Sequence, residues 1–384
     1  MAKRVEERSP CAIRGRISPA VPSWEIPERD AMNRFIQRGV IFTSVLLAFA
    51  CQSGAGTVPT GTPTSSPYSP YRESRAATTV TNTEATPSAA GITPIASGGM
   101  EETNSRTVPI LGGCPMFPPD NPWNADISAA PIHPRSAAYI ESIGADITLH
   151  ADFGSNPEYG IPFIVAPEGQ PPVLVEFVEY GDESDPGPYP IPPDAPVEFG
   201  SDRHLLALAS GECRLYELYH ARRAANGWQA GSGAVFDLSS NALRPDGWTS
   251  ADAAGLPILP GLVRYDEVES GVIRHALRFT VETTYRGYIH PATHFASDEV
   301  NPTLPPMGLR LRLRADYEIA HFTGAARVIL EAMRRYGLIV ADNGSNWFIS
   351  GATDPRWNDK DLDQLKTVPG SAFEAVYTGE ILPQ

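Results

Sequence analysis

Apolar and polar positions divide this chain into stretches of different texture. From residue 108 onward short apolar runs alternate with turn signals, and they predict strands over 173–179, 204–209, 213–220, 233–238, 272–281, 308–314, 337–341 and 345–350. Several alternate with period two, the mark of a strand with one face on a core. In 272–281, Ile273, His275, Leu277, Phe279 and Val281 share one face, against Arg274, Arg278 and Thr280. In 308–314, Leu309, Leu311 and Leu313 alternate with Arg310, Arg312 and Arg314. Asp342-Asn343-Gly344 between two apolar runs predicts a tight hairpin, because Asn-Gly supplies the positive φ angles such a turn needs.

Helical periodicity is scarce. The clearest case is 325–336, with Val328, Ile329, Ala332, Met333 and Tyr336 on one stripe and Gly337 as its stop. A shorter helix is expected over 136–143, ended by Gly144, with marginal ones over 249–254 and 360–365. No strand-helix alternation runs through the chain, which excludes a doubly wound sheet. The expectation is a single mainly β domain over 108–384, a β-sandwich or jelly roll with a few short helices at the margin of α+β.

Upstream the texture changes. Residues 52–107 are built from Thr, Ser, Pro, Ala and Gly and hold no Phe, Trp, Leu or Lys, so they cannot bury enough apolar surface to offset ordering. They read as a disordered tether. Before them, Met32-Asn33-Arg34-Phe35-Ile36-Gln37-Arg38-Gly39 opens a basic segment, followed by an apolar run over 40–50 and then Cys51. That run has the length of a signal-peptide core and is too short to span a bilayer. Ala48-Phe49-Ala50-Cys51 resembles the lipobox of bacterial lipoproteins, which implies lipidation at Cys51; an ordinary cleaved secretory signal is the alternative. Residues 1–31, with Pro10, Pro19, Pro22 and Pro27, form a leader that does not suit a signal peptide, so translation is expected to start at Met32.

Composition narrows the class. The chain has 384 residues, 38 Pro and 33 Gly, and 20% charged side chains, against a coiled coil or helical bundle. Its net charge of −15 argues against a nucleic-acid partner, which needs basic surface to displace phosphate counterions. The first 50 residues hold eight basic and five acidic side chains, leaving −18 on the rest. With Cys11 before the expected start and Cys51 consumed by lipid, Cys114 and Cys213 remain and are expected to form one disulfide.

The most distinctive stretches are Ala230-Gly231-Ser232-Gly233-Ala234-Val235-Phe236-Asp237-Leu238-Ser239-Ser240-Asn241, Gly247-Trp248-Thr249-Ser250-Ala251-Asp252-Ala253-Ala254-Gly255-Leu256-Pro257 and Pro260-Gly261-Leu262-Val263-Arg264-Tyr265-Asp266-Glu267-Val268. Together with Asp342-Asn343-Gly344-Ser345 they resemble a group of uncharacterised exported bacterial proteins. The resemblance implies a shared domain over most of 114–376 and carries no activity.

Candidate chemistry therefore comes from residue types. Glu217 shares a strand face with Leu215 and Tyr219, where burial raises a carboxyl pKa toward the general-acid range, and Asp237 ends the next strand. Such a pair is what glycoside hydrolysis requires; the plainer reading has Glu217 at a sheet edge and Asp237 capping the 239–241 turn. His275 is either a third catalytic group or a satisfied core histidine. His290 and His294, in Tyr288-Ile289-His290-Pro291-Ala292-Thr293-His294, could join it around a divalent metal, although Pro291 forbids the helical zinc motif and no cofactor is required. Tyr216 or Tyr288 with histidine, and Arg310 or Arg312 on a uronate, would suit a polysaccharide lyase. Trp228, Trp248 and Trp347 are either sugar platforms or core. No nucleophile elbow, phosphate loop, dinucleotide fingerprint or calcium loop is present. The acidic 181–186 segment reads as a solvated turn, or a loose cation site. The resulting expectation is an exported, surface-tethered enzyme acting on polysaccharide or cell-surface glycan and held to a membrane by lipid. The alternatives are a non-catalytic glycan- or protein-binding module, and a lyase or histidine-metal hydrolase.

Overall fold

The computed structural model describes residues 108–382. The leader over 1–31, the signal with Cys51 and the tether over 52–107 lie outside the described residues. The chain opens with β1 (Ile110–Leu111) paired to β2 (Cys114–Pro115), then α1 (Ser136–Ile143), β3 (His150–Ala151), β4 (Phe163–Ala166) and β5 (Leu174–Phe177). A run of strands follows: β6 (Leu205–Ala209), β7 (Arg214–Tyr219), β8 (Arg222–Ala224), β9 (Gly227–Ala230) and β10 (Ser232–Asp237). After α2 (Tyr265–Glu269) come β11 (Leu277–Val281), β12 (Tyr285–Tyr288), β13 (Pro306–Met307) and β14 (Arg310–Leu313). The chain ends through α3 (Gly324–Arg335), β15 (Leu338–Asn343), β16 (Phe348–Ile349), α4 (Asp359–Asp363) and β17 (Phe373–Val376). The fold is mainly β, several sheets with a few short helices, as the periodicity predicts.

One large sheet runs β10-β7-β6-β4 and the other β17-β14-β15-β11-β16-β3. Strand β6 explains their arrangement. Leu206 and Leu208 point into the main core, which the six-stranded sheet shares, while Leu205, Ala207 and Ala209 point into a second, smaller core. A strand covered on both faces reads as a continuous apolar run rather than an alternating one. The smaller core is closed by the three-stranded sheet β5-β9-β8 through Phe177, Trp228 and Ala230. At Gly233 a side chain has no room: a Cβ there would lie 2.5 Å from the Phe177 ring and 2.8 Å from the Tyr189 hydroxyl. The small residues of Gly231-Ser232-Gly233 thus serve a close passage under aromatic rings.

Three expected elements differ. The apolar runs on either side of Asn343-Gly344 do not pair with each other. Strand β11 lies between them, parallel to β15 (Leu277↔Leu338, Val281↔Asn343) and antiparallel to β16 (Phe279↔Ile349). Because β11 is buried along almost its whole length, both of its edges need a ladder partner, and a tight hairpin would have left one bare. Strand β11 also starts later than expected, since His275 turns to its own neighbours. Residues 249–254 are a loop, not a helix: the Ser250 hydroxyl accepts the Asp252 N–H at 2.9 Å and donates to the Leu256 carbonyl at 2.6 Å, replacing helical bonds. Helix α3 does form, burying Ala325, Ala326, Ile329, Leu330, Ala332 and Met333, and the chain leaves it through Gly337 at φ 75°.

Cys114 and Cys213 form a disulfide across 99 positions, fastening β2 to the turn before β7. At the other end β17 returns to the beginning, where Ile132 bridges Val376 and the His133 N–H donates to the Ala375 carbonyl at 2.8 Å.

Candidate functional site

Three segments bring charge to one place between the two large sheets. Arg278 on β11 is buried, and its guanidinium reaches both oxygens of Asp252, with Nε to Oδ2 at 3.2 Å and Nη2 to Oδ1 at 3.1 Å. Its Nη1 donates to the Ser350 hydroxyl at 2.6 Å, and Asp342, at the end of β15, stands 3.7 Å away. Asp252 is fully buried, so the guanidinium supplies the opposite charge that makes its ionised form tolerable there.

The loop that carries Asp252 is clasped rather than free. Arg244 pairs with Asp185 and donates to the Glu183 and Thr249 carbonyls at 2.6 and 2.8 Å, while the Glu183 carboxylate accepts the Thr249 N–H at 2.9 Å. The acidic 181–186 segment is therefore this clasp, not a solvated turn. Further along, Glu217 accepts the Ile258 N–H through both oxygens, at 3.0 and 2.8 Å, and the Leu259 N–H at 2.9 Å. Burial pushes its carboxyl up to about 7 even so.

His204, just before β6, completes the cluster. Its Nδ1 lies 2.6 Å from a Glu198 oxygen and its Nε2 3.0 Å from the Ala251 carbonyl. Two acceptors on one ring call for a proton on each nitrogen. Burial opposes that charge, but the Glu198 carboxylate outweighs it and the imidazole pKa is raised. Asp342 responds differently. Its side chain keeps 24% of its surface open. Burial, followed by the negative charge of Asp252, pushes its carboxyl up to about 7 against the pull of Arg278 and His204.

Asp342 belongs to two cavities at once. The larger, about 330 Å3, is walled by Asp152, Glu158, Tyr159, Glu198, His204, Arg278 and Phe348; the smaller, about 220 Å3, by Tyr180, Tyr219, Ser250, Asp252 and His294. Asp202, Asp342 and Asn343 line both. A third cavity of about 510 Å3 lies by α2, but its carboxylates are mostly paired: Arg264 with Glu267 at 2.8 Å, and Arg356 with Asp354 and Asp266 at 2.6 and 2.8 Å, while the exposed Arg274 also lines it. Size favours that cavity. Chemistry favours the other two, because only there does a carboxyl in open contact with the cavity titrate near neutrality.

Most residues singled out by the sequence lie elsewhere. Glu217 pairs in register with Ala234, and Asp237 stands three positions beyond Ala234 on β10, so their side chains leave opposite faces of the sheet and form no carboxylate pair. Asp237 is exposed and holds the Ser239 N–H and hydroxyl at 2.9 and 2.6 Å, the turn cap of the plainer reading. His275 is buried beneath α2, with Nδ1 2.7 Å from the Ala276 carbonyl and Nε2 3.1 Å from Glu267. His290 meets Asp246 at 2.8 Å on the surface, and His294 meets the Ala253 carbonyl at 2.7 Å. The histidines do not converge, and among the described residues no group of three or more His, Cys, Asp and Glu is placed to hold a metal ion.

The aromatic and basic candidates are mostly structural. Trp347 is fully buried, its indole N–H donating to the Gly144 carbonyl at 2.9 Å, and Trp228 is buried in the smaller core under Arg223. Trp248 is half-buried beside Arg244. Arg310 is buried and donates to the Pro122 and Tyr336 carbonyls; Arg312 binds Glu374 at 2.8 Å and the carbonyls of Ile127, Ser128 and Ala130. Neither is free to neutralise a uronate. Tyr216 and Tyr288 are core residues outside the cleft.

Sequence reasoning missed Asp252, Arg278, Asp342, His204 and Glu198 as a group. A usable signal was present: Arg278 interrupts the apolar strand Leu277-Phe279, and Asp252 sits alone among Ser, Ala and Gly. A charge in a segment otherwise fit for burial needs a partner of opposite sign. Comparison with protein-family models, curated proteins and solved structures finds no match to this chain.

Proposed function

We propose that this protein is an exported, surface-tethered enzyme that acts on polysaccharide at the cleft shared by Asp342 and Asp202. Asp342 is the general acid, and Asp202, the other carboxylate common to both cavities, is the base or nucleophile. The observation that carries the reading is placement: an aspartate on the common wall of two solvent-open cavities, its partner charges already committed to one another. Glu198 is spent on His204 and Asp252 on Arg278, and of the remaining carboxylates only Asp342 and Asp202 line both cavities. A carboxyl that titrates near 7 holds its proton long enough at neutral pH to give it to a leaving oxygen.

Screening the full chain against a panel of polysaccharides, with release of reducing ends as readout, tests this. Asp342→Asn is expected to lower turnover by roughly 100-fold or more with binding retained, the size of a lost acid-base contribution. Turnover that survives both Asp342→Asn and Asp202→Asn would sink the assignment. The same fixed charges also suit a module that holds a glycan without cutting it, and binding with no product would favour that reading.

Cys51 is the proposed lipid anchor, with residues 52–107 as the spacer to the domain. Among the described residues no helix is long and apolar enough to cross a membrane. Replacing Cys51 with Ser is expected to move the chain from the membrane to the soluble fraction; retention in the membrane would refute the anchor.

A further inference from the structure

Each compartment of the cleft carries one exposed aromatic ring that the fold does not use. Tyr159 lines the larger and is 55% exposed; Tyr180 lines the smaller and is 47% exposed. Both rings project from irregular segments next to strands, and no hydrogen bond or ring stack engages either phenol among the described residues. By contrast, Tyr139, Tyr189 and Trp347 are fully buried. Exposed rings beside a cavity are apolar surface that a ligand can cover, and a tyrosine offers a flat face at small entropic cost.

The walls say what kind of ligand. Asp152, Glu158 and Glu198 line the larger compartment, Asp252 lies at the floor of the smaller, and Asp202 and Asp342 face both. The positive groups here, Arg278 and His204, are already bound to carboxylates. A polymer carrying carboxylates would meet like charge along this whole surface.

Resting on the reading of the cleft as a polysaccharide site, we propose that it takes a glycan chain free of acidic groups through both compartments at once. Tyr159 stacks on one stretch of the chain and Tyr180 on another, so that an internal linkage lies across Asp342. The enzyme then cuts within chains rather than from their ends, and affinity grows with chain length until both platforms are occupied.

The experiment titrates the full chain, by calorimetry, with hexaoses and bioses of glucose, xylose, mannose, N-acetylglucosamine and glucosamine, and with a galacturonate hexaose. Products of hexaose digestion are sized by mass spectrometry. At least one acid-free hexaose is expected to bind, and its biose to bind more than roughly tenfold less tightly, because the biose reaches one platform only. Tyr159→Ala and Tyr180→Ala are each expected to weaken the hexaose by about tenfold, one stacking contact apiece, and the double variant by about 100-fold. Both positions are exposed, so unchanged melting temperatures will separate lost contact from lost fold. The proposal fails if either tyrosine variant binds as the wild type does, if biose and hexaose bind alike, or if the galacturonate is the tightest ligand. In those cases loss of turnover in Asp342→Asn still upholds the cleft as the active site. A wild-type chain that neither binds nor cuts any of these glycans overturns both readings.

Discussion

Asp252 takes the guanidinium of Arg278 through both carboxylate oxygens, at 3.2 and 3.1 Å, with neither residue open to solvent beyond a few per cent. Removing one member of a buried pair leaves the other charge uncompensated, so Asp252→Asn is expected to destabilise the fold by about 3–5 kcal/mol. Urea denaturation measures it. The freed guanidinium should then turn to Asp342, now 3.7 Å away, and the Asp342 carboxyl should titrate well below 7. An unchanged Asp342 titration by carboxyl NMR would contradict this coupling.

Asp342 itself sets a pH dependence whose direction follows from linkage. Its carboxyl titrates at about 7 in the fold, well above its ordinary range in an unfolded chain. The group's stabilising contribution is therefore full below about pH 4 and is lost as pH rises through 7. Asp342→Asn does not titrate, so thermal melts should show the variant gaining on the wild type between pH 4 and 7.5, by on the order of a few kcal/mol. Glu217 is present in both proteins and drops out of the comparison. A difference that stays flat with pH would refute the assignment.

Glu217 acts as a clip from β7 to the Pro257–Gly261 region, accepting two backbone N–H groups that have no other partner. Glu217→Gln presents an amide donor to those donors, and the expected cost is about 1–3 kcal/mol. A urea midpoint equal to that of the wild type would show that the clip does not hold.

The Cys114–Cys213 bond closes a loop of 99 positions. Restricting an unfolded chain over that span stabilises the fold by roughly 4–5 kcal/mol in the chain-entropy account. The Cys114→Ser, Cys213→Ser double variant should lose most of that in chemical denaturation, and added reductant should bring the wild type down to the same level. Equal stability of the two oxidised proteins would count against it.

How much of this could be read from residues alone differs between fold and site. Apolar runs bounded by turn signals locate β6, β7, β10 and β14 to within a residue or two, through alternation in β14 and through an unbroken apolar run in β6, which is covered on both faces, and the stripe on α3 with its Gly337 stop is equally plain. The partner of each strand was not legible. Asn343-Gly344 looks like a hairpin at short range, and the demand of β11 for a ladder on each edge arises only in three dimensions. The same gap hid the site. Glu217 reads as a carboxyl on an apolar face, and it is buried, but its partners, Ile258 and Leu259, lie some 40 positions away. Asp252, Arg278 and Asp342 likewise meet only after folding, and no spacing in the sequence announces them.

The place of β11 in its sheet also governs when the site can exist. Leu277–Val281 pairs with Leu338–Asn343 and Phe348–Ile349, both of which leave the ribosome long after it, and the later β17 pairs back to residues near Ile132. Arg278 must wait, unladdered and beside an apolar strand edge, until some 60 further residues have emerged. Assembly of the site is therefore bound to non-local strand pairing, which forms more slowly than local structure.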